Sequence, residues 1–265
     1  MGFRLGMAQC GFPEDGDVIA MVGSLASQAA GEGCSLVAFP EDLMSPRPLS
    51  AAGLRDIAEP IGGPFTQAAA KIARERSVWL VITMYEGNPA GGAPFNTALA
   101  IDDGGEVRVA YRKCHLYDAH GVRESERTTP GDALAAPVVA PFATIGLGIC
   151  YDLRFPEQAR AAALAGCDLM LYPSAWYAGP QKAEHWETLL AARAIENELF
   201  VAGICKAGSR YVGRSLVADP LGRVLARAGD GDSEQLLTCE IDLDEVGRAR
   251  DAMPVFEHRR HHLYS

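Results

Sequence analysis

The sequence lacks the features that place a protein in or across a membrane. Its 265 residues contain no window with the roughly 18 apolar residues of a membrane-spanning helix. The first ten residues, MGFRLGMAQC, lack the basic and long apolar regions of a secretion signal, and the sixth position is not the Ser or Thr of the N-myristoylation pattern. We therefore expect no membrane partner and a cytoplasmic location.

The sequence also lacks the basic surface of a nucleic-acid-binding protein. Its formal net charge is −10, its isoelectric point is near 5.1, and its 24 basic residues are scattered rather than grouped. We expect no nucleic-acid partner. Few of the basic residues are lysines, so each lysine beside a reactive residue type is informative.

Neither a disulfide framework nor a metal or nucleotide motif is evident. Seven cysteines, an odd number, lie mostly within apolar stretches, as reduced core thiols do. The tail histidines 258, 261 and 262 and the group Cys114, His115 and His120 show no Cys-x-x-Cys or helical His-x-x-x-His spacing. No glycine-rich loop is followed by Lys-Ser or Lys-Thr. We expect neither a metal nor any other cofactor.

What the sequence does contain is the composition of one large globular domain. It is 48% hydrophobic and 22% charged, and it shows no repeat, which favours a single domain over residues 1–265. Glycine and proline divide it into strand-like and helix-like stretches. The predicted strands are 3–10, 35–40, 78–87, 95–102, 107–113, 140–150, 167–176 and four segments between 199 and 242, and the predicted helices are 17–33, 64–77, 156–166 and 183–198. Helices mixed with many hairpins favour an α/β fold of two sheets with the helices outside.

Three polar residues of reactive types stand at the ends of predicted strands. They are Glu41, Lys113 and Cys150. Ligands of α/β sheets bind beyond the carboxyl ends of the strands, so this placement predicts that the three side chains converge on one site. Each residue also has an ordinary interpretation, as a surface carboxylate, a rim charge or a small core thiol.

Together these residue types suit hydrolysis of an amide or a nitrile through a thiol. The helix predicted to begin near residue 156 and the ammonium of Lys113 are expected to lower the pKa of Cys150. Glu41 is suited to accept the thiol proton, pass it to the leaving amine and then activate water. Lys113 and the backbone N–H of Tyr151 are suited to stabilise the oxyanion.

The segments around these residues resemble the motifs of a known family. FPEDLM, YRKCHLYD and GLGICYDLRFPEQAR, in this order and spacing, are similar to the glutamate, lysine and cysteine motifs of the nitrilase superfamily of carbon-nitrogen hydrolases. Supporting stretches such as FNTALAID, PSAW and HWETLLAARAIENELFVAG extend the resemblance over nearly the whole chain. It implies that Glu41 is the general base and that Cys150 is the nucleophile, with Lys113 as the family's lysine.

The resemblance also implies roles for neighbouring residues. Many members carry a second glutamate after the lysine, and here Glu124 is favoured over Glu126 as the carboxylate that orients the substrate. Asp152 and Arg154 match motif positions expected to brace the turn after Cys150.

The pocket wall is predicted from position in the chain. Trp176 follows the strand 167–175 at the same edge as the reactive residues, with core packing as the alternative, and His185 opens the next helix near the mouth. Whether the substrate carries a carboxylate stays open at this point, with Arg154, Lys182 and Arg210 as candidate partners.

The resemblance implies a four-layer α-β-β-α sandwich, which agrees with the two-sheet prediction. It also implies pairing through helices into a homodimer or a higher oligomer, with residues 246–265 as a C-terminal arm against the partner. The implied activity is that of a cofactor-free amidase, which converts a small linear amide to a carboxylic acid and ammonia through a Cys150 thioester. The alternatives are an N-carbamoyl hydrolase that also releases carbon dioxide, a true nitrilase, and a non-catalytic or redox thiol protein.

Overall fold

Two β-sheets stacked face to face form the centre of the protein. The computed structural model describes residues 2–46 and 48–264, and the predicted domain 1–265 includes positions 1, 47 and 265, which lie outside them. The strands of the described residues are β1 (Gly2–Gln9), β2 (Leu36–Ala38), β3 (Trp79–Glu86), β4 (Phe95–Ile101), β5 (Val107–Arg112), β6 (Val138–Val139), β7 (Thr144–Leu147), β8 (Leu169–Ser174), β9 (Phe200–Cys205), β10 (Leu216–Ala218), β11 (Val224–Arg227) and β12 (Gln235–Asp242). The first sheet has the order β12-β1-β2-β3-β4-β5, and the second has the order β11-β10-β9-β8-β7-β6.

Helices cover the outer face of each sheet. The α-helices of the described residues are α1 (Val18–Gly31), α2 (Ala51–Ile57), α3 (Pro64–Arg76), α4 (Pro156–Leu164), α5 (Lys182–Asn197), α6 (Asp244–Ala252) and α7 (Val255–His258). Helices α1 and α3 pack together over the first sheet, and α4 and α5 pack together over the second. None of these helices has both the length and the apolar character needed to cross a bilayer.

The order of the layers follows from the alternation of side chains along buried strands. Leu36 and Ala38 of β2 face the core between the two sheets, whereas Val37 and Phe39 face the core beneath α1 and α3. Both faces of this strand are therefore apolar, which explains its continuous hydrophobic run. The predicted four-layer α-β-β-α sandwich is confirmed.

Two local predictions are also confirmed. Strands β1 and β2 pair in parallel around α1, as expected of a β-α-β unit. Strands β4 and β5 form an antiparallel hairpin whose turn is closed by the N–H of Gly105, which donates to the carbonyl of Asp102 over 2.8 Å. Gly105 has a φ of +80°, a conformation that glycine adopts without steric cost.

The predicted strand 140–150 is wrong in its extent. Within it only β7 is a strand among the described residues, β6 precedes it, and Cys150 begins a 3-10 helix, Cys150–Arg154. The strand ends because the N–H of Ile149 donates to the Asp152 carboxylate over 2.9 Å and therefore does not pair with the sheet. Helices α2, α6 and α7 were not predicted, since each is short and largely exposed.

The C-terminal segment is partly integrated into the chain's own core. Val246 and Ala249 of α6 are buried there, whereas residues 253–264 are partly or fully exposed. The role of residues 246–265 as an arm against a partner subunit stays a prediction.

Candidate active site

Three segments at one edge of the sheets carry the predicted reactive groups. Glu41 follows β2, Lys113 directly follows β5, and Cys150 follows β7. Strands β2 and β7 each pair in parallel with a neighbour, so their carboxyl ends lie where α/β proteins form their sites. The structure brings the three side chains together in the lining of one cavity.

The ammonium of Lys113 lies at the centre of the site. The residue is only 2% exposed, and its Nζ donates to Glu41 Oε1 over 2.8 Å. The same Nζ donates to Oε1 and Oε2 of Glu124 over 3.0 and 2.9 Å. Burying a charge is costly unless it is paired, and these two carboxylates supply the pairing. The structure thus places Glu124, rather than the exposed Glu126, beside Lys113.

Groups from distant parts of the chain hold the Glu41 carboxylate in place. Asn96 Nδ2 donates to Oε1 over 2.7 Å, and the Ala175 N–H donates to Oε2 over 2.8 Å. The Cys150 thiol interacts with this carboxylate and lines the same cavity. A carboxylate oriented in this way is placed to accept the thiol proton.

Burial and the neighbouring charges act in opposite directions on Glu41 and Lys113. Burial raises the pKa of Glu41, but the Lys113 ammonium, the Ala175 N–H and the Cys150 thiol bring it below its ordinary value. Burial lowers the pKa of Lys113, but the carboxylates of Glu124 and Glu41 raise it well above its ordinary value. At neutral pH, Glu41 is therefore a carboxylate and Lys113 an ammonium.

The predicted lowering of the Cys150 pKa is wrong. Burial and then the Glu41 carboxylate raise the pKa of this thiol well above its ordinary value, and Lys113 opposes them only in part. The charge of Lys113 is already shared by two carboxylates, and α4 begins six residues beyond Cys150. The resting site therefore holds a neutral thiol whose proton has an acceptor in Glu41.

The backbone at Cys150 is held in an unusual conformation. Its φ of +48° lies in the left-handed region, which costs a non-glycine residue on the order of 1–3 kcal/mol. The segment before it can approach the neighbouring strand closely only because it contains glycine. A Cβ atom at Gly148 would lie 2.5 Å from the ring of Tyr172. The sharp turn at Cys150 places the residue in the cavity lining at the start of the 3-10 helix.

The cavity contains about 560 Å³ of space, including its opening to solvent. Tyr151 and Trp176 are among the residues that line it. The Trp176 ring is buried, its Nε1 donates to the Lys182 carbonyl over 3.0 Å, and the Arg154 guanidinium lies 4.8 Å from its centre. His185 is exposed and lies outside the cavity lining, beside Arg154, so its placement does not support the predicted role as a pocket wall.

Several residues of the site were missed at the level of sequence. Asn96 is the most informative, since it is a polar residue within β4, a strand that is buried along its whole length. That pattern was a usable signal, because a buried amide needs a specific partner. The missed residues of the cavity lining lie on several segments and have no local pattern in common: Asp42, Tyr85, Tyr117, Val122, Arg127, Ala175 and Tyr177.

Comparison with known proteins identifies the family. A family model described as carbon-nitrogen hydrolase matches residues 5–251. The omega-amidase of Mus musculus is 35% identical over 274 residues, which cover 99% of this chain and 97% of that protein. The deaminated glutathione amidase of Homo sapiens is 36% identical over 258 residues, covering 91% of this chain and 76% of that protein.

A solved structure agrees with these relatives. It is that of an amidase variant from Nesterenkonia sp. AN1, in which acrylamide has added to the active-site cysteine. That structure matches with a TM-score of 0.79 and 26% identity, covering 95% of this chain and 98% of the other. The family model spans most of the chain, and the curated relatives exceed one third identity over nearly its full length. This chain belongs to the carbon-nitrogen hydrolase family.

Proposed function

We propose that this protein hydrolyses a small linear amide to a carboxylic acid and ammonia through a thioester on Cys150. One observation carries the proposal. A thiol, an ionised carboxylate and a buried ammonium line the same cavity, and the carboxylate is held by three donors beside the thiol. Proton acceptor, nucleophile and oxyanion partner are thus already assembled. The amidases among the relatives support the same reaction class.

The reaction proceeds in two halves on these residues. Glu41 takes the proton of the Cys150 thiol as the sulfur attacks the amide carbon, and the oxyanion forms beside Lys113 Nζ and the Tyr151 N–H. Glu41 then gives the proton to the amide nitrogen, the C–N bond breaks, and ammonia leaves a thioester on Cys150. Glu41 next takes a proton from water, which attacks the thioester. The acid leaves when the proton returns to sulfur.

Glu124 orients both the lysine and the substrate in this scheme. Its Oε2 accepts the Tyr117 N–H over 2.7 Å in addition to its two contacts with Lys113. These contacts hold an ammonium that is almost fully buried, so its attraction for an oxyanion is screened little. The role proposed for Glu124 is that of the substrate-orienting carboxylate, and these contacts support it by fixing the position of its side chain.

Two cations in the cavity lining favour a substrate that carries a carboxylate. Arg154 and Lys182 both line the cavity, and among residues 2–46 and 48–264 no carboxylate lies within ion-pair distance of either. They flank Trp176, and Lys182 Nζ also donates to the Tyr117 hydroxyl over 3.0 Å. Arg210, the third candidate, lies outside this cavity. Two uncompensated cations at one end of a cavity stabilise an anionic group there.

The substrate class can be tested with a panel of amides. We expect ammonia release to be fastest with a linear amide that carries a carboxylate at its other end. Intact-mass measurement during turnover is expected to show the protein plus one acyl group. Carbon dioxide released together with ammonia from the best substrate would instead identify an N-carbamoyl hydrolase, and ammonia from nitriles but not from amides would identify a nitrilase.

Substitution of Lys182 tests the anion contact. We expect Lys182→Met to raise KM for a carboxylate-bearing amide by about tenfold, because a charge-assisted hydrogen bond to the substrate is lost. The KM for a neutral amide of the same length is expected to stay within about twofold. Lys71→Met is the matched control, since Lys71 is exposed on α3 and pairs with Glu75 on the same helix. An equal rise of KM for both amides would contradict the anion contact.

The pH profile tests the assignment of the base. The pKa of Glu41 is lowered, so Glu41 stays ionised until the pH falls below its ordinary range, whereas the pKa of Cys150 is raised, so the thiol keeps its proton. With a neutral amide we expect kcat/KM to be flat from about pH 5 to pH 9 and to fall only in acid. A rate that climbs around pH 8.5, where an ordinary thiol ionises by itself, would contradict Glu41 as the base.

The pH profile of Glu41→Gln provides the matched comparison. A glutamine cannot accept the thiol proton, so the flat region is expected to disappear. The residual rate is expected to rise with pH, because the thiol must then ionise without assistance. A variant that retained the flat profile would show that another group removes the proton.

A further inference from the structure

A cluster behind the cavity connects the segment of Lys113 to the segment of Cys150. Asp152 is fully buried, and its carboxylate accepts four hydrogen bonds. Oδ1 accepts from the backbone N–H of His115 over 3.1 Å and from the ring Nδ1 of His115 over 2.7 Å. Oδ2 accepts from the Tyr111 hydroxyl over 2.8 Å and from the backbone N–H of Ile149 over 2.9 Å.

These donors flank two of the reactive residues in the chain. Tyr111 and His115 stand two positions before and two positions after Lys113. Ile149 directly precedes Cys150, and Asp152 itself is two positions beyond it. The Tyr111 hydroxyl also accepts the N–H of Cys114 over 3.2 Å, which adds a second tie to the backbone after Lys113. The Asp152 carboxylate therefore holds both the backbone that follows Lys113 and the backbone that precedes Cys150.

The ring of His115 completes this cluster. It stacks on Phe155, with the ring centres 3.6 Å apart and the planes 9° from parallel. Phe155 in turn donates its backbone N–H to the carbonyl of Asp152 over 2.9 Å. Because an ionised Asp152 can only accept, the contact at 2.7 Å places a hydrogen on Nδ1 of His115. The histidine is thus held by a directed hydrogen bond on one side and by ring contact on the other.

We propose that His115, through Asp152, is a positioning residue that sets the distance and direction between Lys113 Nζ and the Cys150 sulfur. The proposal rests on the proposed thiol mechanism. The left-handed backbone at Cys150 persists only where surrounding contacts hold it, and the Asp152 carboxylate supplies one of them at Ile149. In the proposed mechanism, Lys113 and the Tyr151 N–H stabilise the same oxyanion, and they lie on the two segments that Asp152 connects. Loss of the tether therefore acts on the transition state more than on substrate binding.

Two substitutions separate the hydrogen bond of His115 from its ring contact. His115→Phe keeps a ring against Phe155 and removes the donor to Asp152. His115→Asn keeps a short N–H donor near the position of Nδ1 and removes the ring. We expect His115→Phe to lower kcat by about 10- to 100-fold with KM within about twofold, the size of loss that a misplacement near 1 Å produces. His115→Asn is expected to stay within about threefold of wild type in kcat.

Tyr111→Phe provides a second test of the positioning role, because Tyr111 donates to Oδ2 of Asp152 whereas His115 donates to Oδ1. It removes the hydroxyl that donates to Oδ2 and that accepts from Cys114, and it keeps the buried ring. We expect it to lower kcat with little change in KM, as His115→Phe does. Thermal unfolding of all three variants shows which of them are folded at the assay temperature.

Three outcomes would overturn the proposal. They are an unchanged kcat in His115→Phe whatever its melting temperature, an equal loss of kcat in His115→Phe and His115→Asn, and an unchanged rate of Cys150 alkylation in His115→Phe. A second measurement does not depend on amide turnover. The alkylation rate of Cys150 by iodoacetamide, followed by peptide mass, is expected to fall in His115→Phe and to stay near wild type in His115→Asn. If wild type cleaves no amide, this rate still tests the positioning, whereas the proposed function alone has failed.

Discussion

Replacing Cys150 by alanine is expected to abolish ammonia release from every amide that the wild-type protein cleaves. The substitution removes the atom that would carry the acyl group, and the cavity lining offers no second thiol to replace it among the described residues. The free energy of unfolding is expected to fall by only about 1–2 kcal/mol, because a single small side chain is truncated. Ammonia assays and denaturant unfolding measure the two quantities separately.

Cys167→Ala is the matched control for this experiment. Cys167 is a fully buried thiol that packs in the large core cluster and lies outside the cavity lining. Its truncation is expected to cost a similar amount of stability and to leave turnover within about twofold of wild type. Contamination can account for a residual turnover of roughly a few per cent of wild type. Higher turnover by Cys150→Ala would contradict the assignment of Cys150 as the nucleophile.

Replacing Lys113 by methionine is expected to abolish turnover and also to destabilise the fold strongly. The carboxylates of Glu41 and Glu124 are both buried and would lose the ammonium that both share. Removing one partner of a buried ion pair costs about 3–5 kcal/mol of unfolding free energy. Denaturant unfolding at pH 7 and ammonia assays below the melting temperature measure the two effects.

The destabilisation is expected to depend on pH in one direction. Lys113 lowers the pKa of Glu41, so its contribution to stability is present above the ordinary carboxyl pKa and is lost as the pH falls through the lowered value. In Lys113→Met the pKa of Glu41 rises. The difference in stability from wild type is therefore expected to be large at pH 7 and smaller at pH 4, because Glu41 of the variant becomes protonated as the pH falls, whereas Glu41 of wild type becomes protonated only at lower pH. An equal difference at both pH values would contradict an electrostatic origin.

A triple variant separates stability from catalysis. Lys113→Met combined with Glu41→Gln and Glu124→Gln carries no buried unpaired charge at these positions, so much of the lost unfolding free energy is expected to return. Turnover is expected to stay absent, because the base and the oxyanion partner are both missing. Recovery of turnover along with stability would show that Lys113 serves only to hold the fold.

Most of the reactive residues of the candidate site could be predicted from local sequence. Glu41, Lys113 and Cys150 were recognised because each ends an apolar stretch and stands in a motif with a specific spacing. Glu124 followed from the same motifs. The order of strands and helices was also predicted, because it depends on local patterns. The continuous apolar run of β2 and the glycine turn before β5 are both visible in consecutive residues.

The predictions that failed involve contacts that hydrophobic periodicity does not report. The strand 140–150 was predicted too long because the group that ends it, the Asp152 carboxylate, acts through a turn and not through periodicity. His185 stands near Arg154 in space but on the outer side of it. Asn96 was not assigned to the site because its partner, Glu41, is 55 positions away.

The sequence by itself determined the residue types of the site, the order of the elements that carry them and the sandwich in which they pack. Tertiary structure alone decided the protonation of those residues. The pKa of Cys150 is raised rather than lowered, because burial and the approach of Glu41 outweigh a cation that is already shared by two carboxylates. Electrostatic energies depend on distance and on exclusion of water, and both arise only when segments far apart in the chain fold against each other.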